Sequence, residues 1–273
     1  MIRFWIILFF LSITYFGLIT SADNNSGSLE TINDISSNEK DWISIFNGEN
    51  LDGWIVKINS FPLGENFGDT FSVSDGILKV RYDAYGDDFD QRFGALYFNE
   101  KLTNYRLKVV YRFVGETAAG APEWGFRDSG VQFFCQAPES LGIDQPFPVS
   151  LEYNLHGGDG EAERPVGQVC ANGIFVELDG KRNETYCTPP SVKRTFHGDQ
   201  WVSLEIDVND GQIQHFVNDE LILSYSNPTF NPEHEIAKNL IENGDLIVKD
   251  GYISLQSNSH PLDFKTIELL PYQ

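Results

Sequence analysis

Short runs rich in Val, Ile, Phe and Tyr recur along this chain, with turn residues between them. The runs include TFSVSDGILKVRY, YRLKVVYRFV, SGVQFFCQ and WVSLEIDV. Turn pairs lie at Asp75-Gly76, Asp179-Gly180 and Asp210-Gly211. Because β-branched and aromatic residues bounded by such turns are typical of short strands, the pattern predicts an all-β antiparallel sandwich or barrel. The segment from Glu233 to Ile241 is the one short helical candidate.

The beginning of the chain is predicted to be an export signal. Arg3, the apolar run Phe4–Leu11 and the small residues Thr20-Ser21-Ala22 together predict a signal peptide over residues 1–22. A retained membrane anchor is the alternative, although the apolar stretch Phe4–Ile19 is short for a span and is interrupted by polar residues. No Cys lies near the cleavage site, which disfavours a lipoprotein. We therefore expect a periplasmic or extracellular protein with no membrane span in the mature chain.

The remaining chain divides into a leader and one domain. Residues 23–40 are rich in Asn and Ser and lack periodicity, which predicts a disordered leader. Residues 41–273 then form the domain, because 273 residues with 41% hydrophobic content suffice for one large all-β domain.

The charge balance excludes some partners. Removal of the signal takes away Arg3, one of 19 basic residues against 40 acidic ones, and leaves a net charge of about −22. Such a charge repels nucleic acid and anionic membranes, so neither is an expected partner. A neutral saccharide is compatible with it.

The three cysteines suggest one disulfide and one free thiol. Cys170 and Cys187 flank two short predicted strands around the Asp179-Gly180 turn. In an oxidising compartment we expect them to bridge the base of this hairpin, which would stabilise the fold by roughly 3 kcal/mol. Cys135 follows Val131 and Phe133 at period two, so a buried free thiol on their face is predicted. No Cys or His spacing indicates a structural zinc site.

The segment LEYNLHGG, Leu151 to Gly158, carries the most chemistry. Side chains alternate between the two faces of a strand, so Glu152, Asn154 and His156 share one face. A carboxylate, an amide and an imidazole in a row are what the floor of a polar-ligand groove requires. The alternative is a half-exposed strand with an ordinary polar outer face. Glu152 and His156 lie about 13 Å apart along an extended strand, too far for a direct pair.

Several segments occur in an order that resembles the 3-keto-disaccharide hydrolase family, over about Trp42 to Pro271. They are ISIFNGENLDGWIVK, FSVSDGILKV, YRLKVVYRF, DSGVQFF, LEYNLH, HGDQWVSLEIDV, IQHFVNDELILSY and GYISLQSNSHPLDFKTIELL. The resemblance implies a concanavalin A-like jelly-roll sandwich of two antiparallel sheets, with carbohydrate chemistry on a concave sheet. It also implies an exported enzyme that acts on glycosides whose glucosyl unit is oxidised at C3. This chain departs from the common pattern of the family at two positions. It has Asn154 where the family commonly has Gln, and Asp128 where the family often has Asn.

Glu152 is the first candidate for a catalytic base or a metal ligand, by its strand position and the family match. His156 is the second catalytic candidate, or else it caps the following loop. On a neighbouring strand Asp128 and Gln132 are candidate substrate contacts, and Gln132 is expected beside Glu152. Gly130 would allow close approach of a sugar ring.

Four further candidates for substrate binding lie elsewhere. Trp124 could stack on a sugar or simply pack, and Arg127 could polarise the C3 carbonyl or pair with a carboxylate. Gln256 and His260 belong to LQSNSHP, which matches the family.

Two other features have structural interpretations. His215 is in phase with Ile213 and Val217 and is interpreted as a core histidine. The cluster of Asp87, Asp88 and Asp90 could bind Ca²⁺, but its interpretation is a solvated charged loop.

The expected chemistry follows from the C3 ketone. It acidifies the C2 proton, so a base can remove it, the C1 substituent can leave, and water can add to complete net hydrolysis. The sequence names no certain cofactor, and a divalent metal, Ca²⁺ or a transition metal, stays open. The alternatives to this enzyme are a non-catalytic carbohydrate-binding (lectin-like) module and a domain that mediates protein contacts.

Overall fold

The structure is a computed structural model, and it describes residues 41–272. The predicted signal peptide and leader, residues 1–22 and 23–40, lie outside the described residues and stay predictions. Within residues 41–272, no helix is long and apolar enough to cross a membrane.

Strands dominate the described part of the chain. They are β1 (Ile43–Ser44), β2 (Trp54–Ile58), β3 (Phe71–Ser74), β4 (Ile77–Val80), β5 (Gly94–Phe98), β6 (Tyr105–Phe113), β7 (Asp128–Cys135), β8 (Ser150–His156), β9 (Val169–Asn172), β10 (Ile174–Leu178), β11 (Lys181–Asn183), β12 (Cys187–Thr188), β13 (Val202–Asn209), β14 (Gln212–Val217), β15 (Glu220–Phe230), β16 (Tyr252–Ser257) and β17 (Leu262–Pro271).

Helical structure in the same residues is limited to 3-10 turns at Phe67–Asp69, Asp83–Tyr85, Glu123–Gly125, Pro138–Ser140 and Ala237–Leu240. The helical candidate Glu233 to Ile241 is thus reduced to its second half.

The strands form two antiparallel sheets. One has ten strands in the order β11-β10-β15-β14-β13-β6-β17-β4-β3, with β1 paired to β17. The other has seven strands in the order β12-β9-β8-β7-β16-β5-β2. The predicted jelly-roll sandwich of two antiparallel sheets is confirmed.

The core lies between the two sheets and follows from period-two alternation. In β6, Tyr105, Leu107, Val109, Tyr111 and Phe113 are buried, whereas the intervening residues are partly exposed. Such alternation is what a strand with one face on a core requires.

His215 lies in this core, as interpreted. Its Nδ1 donates to the Gly167 carbonyl at 3.1 Å, and its Nε2 accepts from the Tyr225 hydroxyl at 2.8 Å. Burial lowers the pKa of His215 to about 4. Both ring nitrogens are therefore satisfied by the core.

The face predicted for Cys135 is wrong, although its burial and free state are confirmed. Phe134 has a φ of 51°, and the pairing of β7 with β16 shifts register there. This bulge adds a residue to the strand. Phe134 therefore joins Phe133 in the core between the sheets, whereas Cys135 turns to the other face and packs near Tyr97.

Cys170 and Cys187 form the predicted disulfide, but the chain between them is not a single hairpin. Cys170 and Cys187 are paired in register on β9 and β12, in the seven-stranded sheet. The strands between them, β10 and β11, belong to the ten-stranded sheet. The disulfide thus closes a ring of chain, residues 170–187, that spans both layers.

Candidate active site

The polar face predicted for β8 lies on the outer side of the seven-stranded sheet. Leu151, Tyr153 and Leu155 are buried in the core between the sheets. Glu152 points the other way and is paired in register with Gln132 of β7, as expected. One strand further, Gln132 is paired with Ser254 of β16, whose hydroxyl donates to Gln132 Oε1 at 2.8 Å.

A second polar row runs across the ends of the same strands. Asp128 of β7 is paired in register with His156 of β8, and their side chains meet at 2.8 Å between Oδ2 and Nε2. Asn258, just after β16, donates from Nδ2 to the other oxygen of Asp128 at 2.8 Å.

These two rows form the floor of a cavity of about 280 Å³, which we call the Glu152 pocket. Its lining residues are Trp124, Asp128, Gln132, Phe147, Ser150, Glu152, Asn154, His156, Gln168, Cys170, Asn172, Tyr186, Cys187, Gln256 and Asn258. A volume near 300 Å³ is at the lower end of the usual range for small-molecule sites.

The carboxylate of Glu152 is held by amides at the centre of this floor. Asn154 Nδ2 donates to Oε1 at 3.1 Å, and Gln132 Nε2 donates to Oε2 at 3.3 Å. Desolvation, followed by the nearby charge of Asp128, raises the pKa of Glu152 to about 7. A carboxyl with such a pKa can accept and return protons near neutral pH.

Gly130 makes room for that carboxylate. A Cβ at position 130 would lie 2.5 Å from Cδ of Glu152, closer than any real contact. The space above Gly130 is therefore occupied by the side chain of Glu152.

His156 is fixed through both ring nitrogens. Its Nε2 donates to the Asp128 carboxylate at 2.8 Å, and its Nδ1 lies 3.1 Å from Gln168 Nε2 and 3.3 Å from the Pro165 carbonyl oxygen. Asp128 and His156 are therefore one hydrogen-bonded unit that faces the pocket.

The unpartnered buried atoms at the pocket are acceptors. The side-chain oxygens of Asn154, Gln256 and Asn258 are buried and have no hydrogen-bond partner among residues 41–272. The amide nitrogens of Asn154 and Asn258 face carboxylates, which accept only, so the orientation of both amides is fixed. A ligand that fits must bring hydrogen-bond donors.

Aromatic side chains flank the floor. Trp124 is half exposed and stacks on Phe93, with ring centroids 5.4 Å apart and planes at 15°. Tyr186 is 60% exposed and also lines the pocket. An exposed ring at a polar pocket can cover the apolar face of a sugar.

Arg127 and His260 do not line the pocket. Arg127 has a φ of 43°, and its guanidinium binds Asp199 at 2.7 Å and the Gly198 carbonyl at 2.7 Å. Of the two interpretations of Arg127, the structure shows the ion pair with a carboxylate, that of Asp199. His260 is buried beside Phe113 and Phe126, its Nδ1 lies 2.8 Å from the Thr117 hydroxyl, and burial lowers its pKa to about 4.

Sequence reasoning missed Asn258, Gln168 and Tyr186. Asn258 is in phase with Gln256 at period two, a signal that was available. Tyr186 was hidden because it precedes a strand of only two residues.

No metal centre is evident in residues 41–272, which hold no group of three or more His, Cys, Asp and Glu side chains suited to a metal ion. In the acidic cluster, the Asp88 carboxylate accepts the backbone N–H of Asp90 at 2.9 Å in an exposed loop.

Comparison with solved structures supports the fold. One similar structure is a proposed glycosyl hydrolase from Parabacteroides distasonis, with 17% identity and a TM-score of 0.51 over 85% of this chain and 94% of that chain. A second, described in the same way and from the same organism, has 16% identity and a TM-score of 0.50 over 85% of this chain and 100% of that chain. No curated protein is significantly similar in sequence. At these identities the likeness shows the fold alone.

The family model for the 3-keto-alpha-glucoside-1,2-lyase-like domain matches residues 41–270. This range includes both sheets except Pro271, the last residue of β17, and every residue of the Glu152 pocket. The chain therefore belongs to the family of 3-keto-alpha-glucoside-1,2-lyase-like domains.

Proposed function

We propose that this protein cleaves glycosides whose glucosyl unit carries a ketone at C3, and that Glu152 is the base that removes the C2 proton. The observation that carries the proposal is the Glu152 carboxylate, half buried at the centre of a polar pocket with a pKa raised to about 7. Family membership supports the substrate class.

The proposed reaction begins with transfer of the C2 proton to Glu152. The electron pair of the C2–H bond forms the C1–C2 double bond as the bond from C1 to the leaving oxygen breaks. The oxygen of a water molecule then adds to C1, the proton of that water restores the acid that protonated the leaving oxygen, and Glu152 returns a proton to C2. These transfers restore the 3-keto sugar and complete net hydrolysis. A base with a pKa near the working pH suits both the removal and the return of the C2 proton.

The hydrogen-bonded Asp128–His156 unit is the second proton-carrying group of the pocket. In the proposal it protonates the departing oxygen. The unpartnered oxygens of Asn154, Gln256 and Asn258 accept the hydroxyl groups of the keto sugar, because a sugar brings the donors that these atoms lack. Trp124 covers one face of the sugar.

The test is incubation of the purified protein with a 3-keto-disaccharide and with its unoxidised parent, with and without EDTA. We expect release of a monosaccharide from the keto form only, and uptake of solvent deuterium at C2 in D₂O. Glu152→Gln should abolish both. Glu123→Gln, which changes an exposed carboxylate next to Trp124, is the matched control and should retain both. Loss of activity in EDTA would add a metal to the proposal.

The second candidate is a non-catalytic carbohydrate-binding module. The half-exposed ring of Trp124 beside unpartnered acceptors favours it, because binding needs nothing more. Saturable binding of the sugar with no cleavage and no deuterium uptake would establish this function instead. Absence of both binding and turnover would contradict both candidates.

We also propose that the protein is exported to the periplasm or the extracellular space. The Cys170–Cys187 disulfide supports this, because disulfides persist in oxidising compartments. Fractionation of expressing cells and sequencing of the mature N-terminus would test it, with cleavage after Ala22 expected.

A further inference from the structure

The Glu152 pocket has an aromatic wall on each side of its carboxylate. Tyr186 immediately precedes β12, the edge strand. Trp124 stacks on Phe93, which immediately precedes β5. In the sheet order, β12 and β5 lie on opposite sides of β8, the strand of Glu152.

The two sides differ in polarity. The unpartnered oxygens of Gln256 and Asn258 lie at β16, which is on the side of β5. On the other side, Cys170 is paired in register with Glu152, and the two disulfide cysteines line the pocket.

The side of β12 also has two amide side chains, Gln168 and Asn172, but their nitrogens are already engaged, with His156 Nδ1 at 3.1 Å and with the Pro148 carbonyl at 2.6 Å. The buried acceptors at the strand termini that await hydroxyl groups therefore lie toward β16, whereas the ring of Tyr186 and the disulfide lie toward β12.

The disulfide also holds Tyr186. Strand β12 has two residues and pairs with β9 only through Cys187 and Thr188. The carbonyl of Tyr186 accepts the N–H of Ala171 of β9 at 2.7 Å. A ladder this short needs the covalent bond to keep the ring of Tyr186 beside the pocket.

We infer that Tyr186 forms a subsite for the leaving group of the substrate, and that the Cys170–Cys187 disulfide positions it beside Glu152. The inference rests on the proposed function, in which C1, with its leaving group, is adjacent to the C2 proton that Glu152 removes. The keto sugar occupies the polar side, where its hydroxyl groups are recognised. The leaving group then lies on the side of Tyr186, which stacks on a ring without selecting its hydroxyl pattern.

The experiment compares a 3-keto-disaccharide with the methyl 3-keto-glucoside, whose leaving group cannot stack. Tyr186→Ala should lower kcat/KM for the disaccharide by about tenfold, the size of one good ring contact, and leave the methyl glycoside unchanged. Tyr186→Phe should retain the wild-type value, because the ring makes the contact. Ile247→Ala, which truncates an exposed apolar side chain outside the pocket, is the matched control.

The double variant Cys170→Ser/Cys187→Ser tests the positioning and should reproduce the substrate-selective loss of Tyr186→Ala, with folding checked by circular dichroism. An equal loss on both substrates, or no loss on either, in Tyr186→Ala would overturn the inference. If the wild-type protein cleaves neither substrate, the proposed function is wrong. The subsite is then judged by binding of the unoxidised disaccharide, which Tyr186→Ala weakens if the subsite exists and leaves unchanged if it does not.

Discussion

At the scale of single residues, Glu152 depends on the absence of a side chain on the next strand. Its carboxyl group lies over Gly130 of β7, within reach of the amides of Gln132 and Asn154. Any other residue at position 130 would occupy that space. Gly130 therefore contributes to the site because its missing side chain leaves space for the Glu152 carboxyl group.

Gly130→Ala should destabilise the protein by about 1–3 kcal/mol, the usual cost of an overpacked position, and should displace the carboxylate of Glu152. In a Glu152→Ala background the same change should cost little, because the colliding atoms are gone. Urea denaturation of the four proteins of this double-mutant cycle measures the coupling. Equal costs in both backgrounds would contradict the contact.

The raised pKa of Glu152 predicts a dependence of stability on pH. The folded state favours the protonated form, so the free energy of unfolding falls as pH rises from the ordinary value of 4.5 through about 7. Glu152→Gln removes this loss. Relative to wild type, its melting temperature should therefore be higher at pH 8 than at pH 5. Melting curves at both pH values check this, and parallel behaviour of the two proteins would show an ordinary pKa for Glu152.

Residues on a regular strand could be assigned to the site from sequence, and residues beside irregular backbone could not. Period two correctly placed Glu152, Asn154 and His156 on one face and Gln132 beside Glu152. It does not apply to Arg127, which precedes β7, has a positive φ and pairs with Asp199. A positive φ outside glycine follows from tertiary context and leaves no reliable signal in the sequence.

At the scale of elements, β7 shows how one bulge changes the face of the strand on which the next residue lies. The alternation of Val131 and Phe133 is regular, and Phe134 at positive φ breaks it. Cys135 thereby leaves the core between the sheets, and its Sγ lies 3.6 Å from the Ser254 hydroxyl. The strand itself was predictable, since its composition is β-branched and aromatic, but the bulge was not.

Cys135 should nevertheless be inert in the native protein. Burial raises the pKa of its thiol to about 12, and its side chain is almost wholly covered. Because the thiolate is the reactive form, a thiol reagent should label no cysteine at pH 8 before denaturation and one afterwards. Rapid labelling of the native protein would contradict the packing around β7.

At the scale of the whole molecule, strand composition and turn residues predicted an antiparallel sandwich or barrel, and the family resemblance implied the jelly-roll. The partition of strands between the two sheets was not predicted. The turn at Asp179-Gly180 correctly predicted that β10 and β11 pair. Nothing in the local pattern shows that β9 and β12 belong to the opposite sheet, because both layers are antiparallel and use the same residue types.

The net charge of −21 predicts that salt stabilises the folded protein. Negative charges that repel one another are screened as ionic strength rises. Raising NaCl from about 10 mM to about 500 mM should raise the melting temperature, by about 2–4 °C for each kcal/mol of repulsion removed. Scanning calorimetry at the two salt concentrations measures this. A lower melting temperature in salt would mean that surface ion pairs outweigh the repulsion.

The closed ring of residues 170–187 restricts where the sandwich can open locally. At this edge the chain passes from one layer to the other and back, and the disulfide joins the two ends of that path. Opening fluctuations of the sandwich must therefore start elsewhere, at the edges formed by β2 and β3. We expect amide hydrogens of β9 and β10 to exchange with solvent far more slowly than those of β2 and β3. The disulfide that closes this ring also lines the pocket, so we expect a ligand to meet a wall that is already in place before it binds.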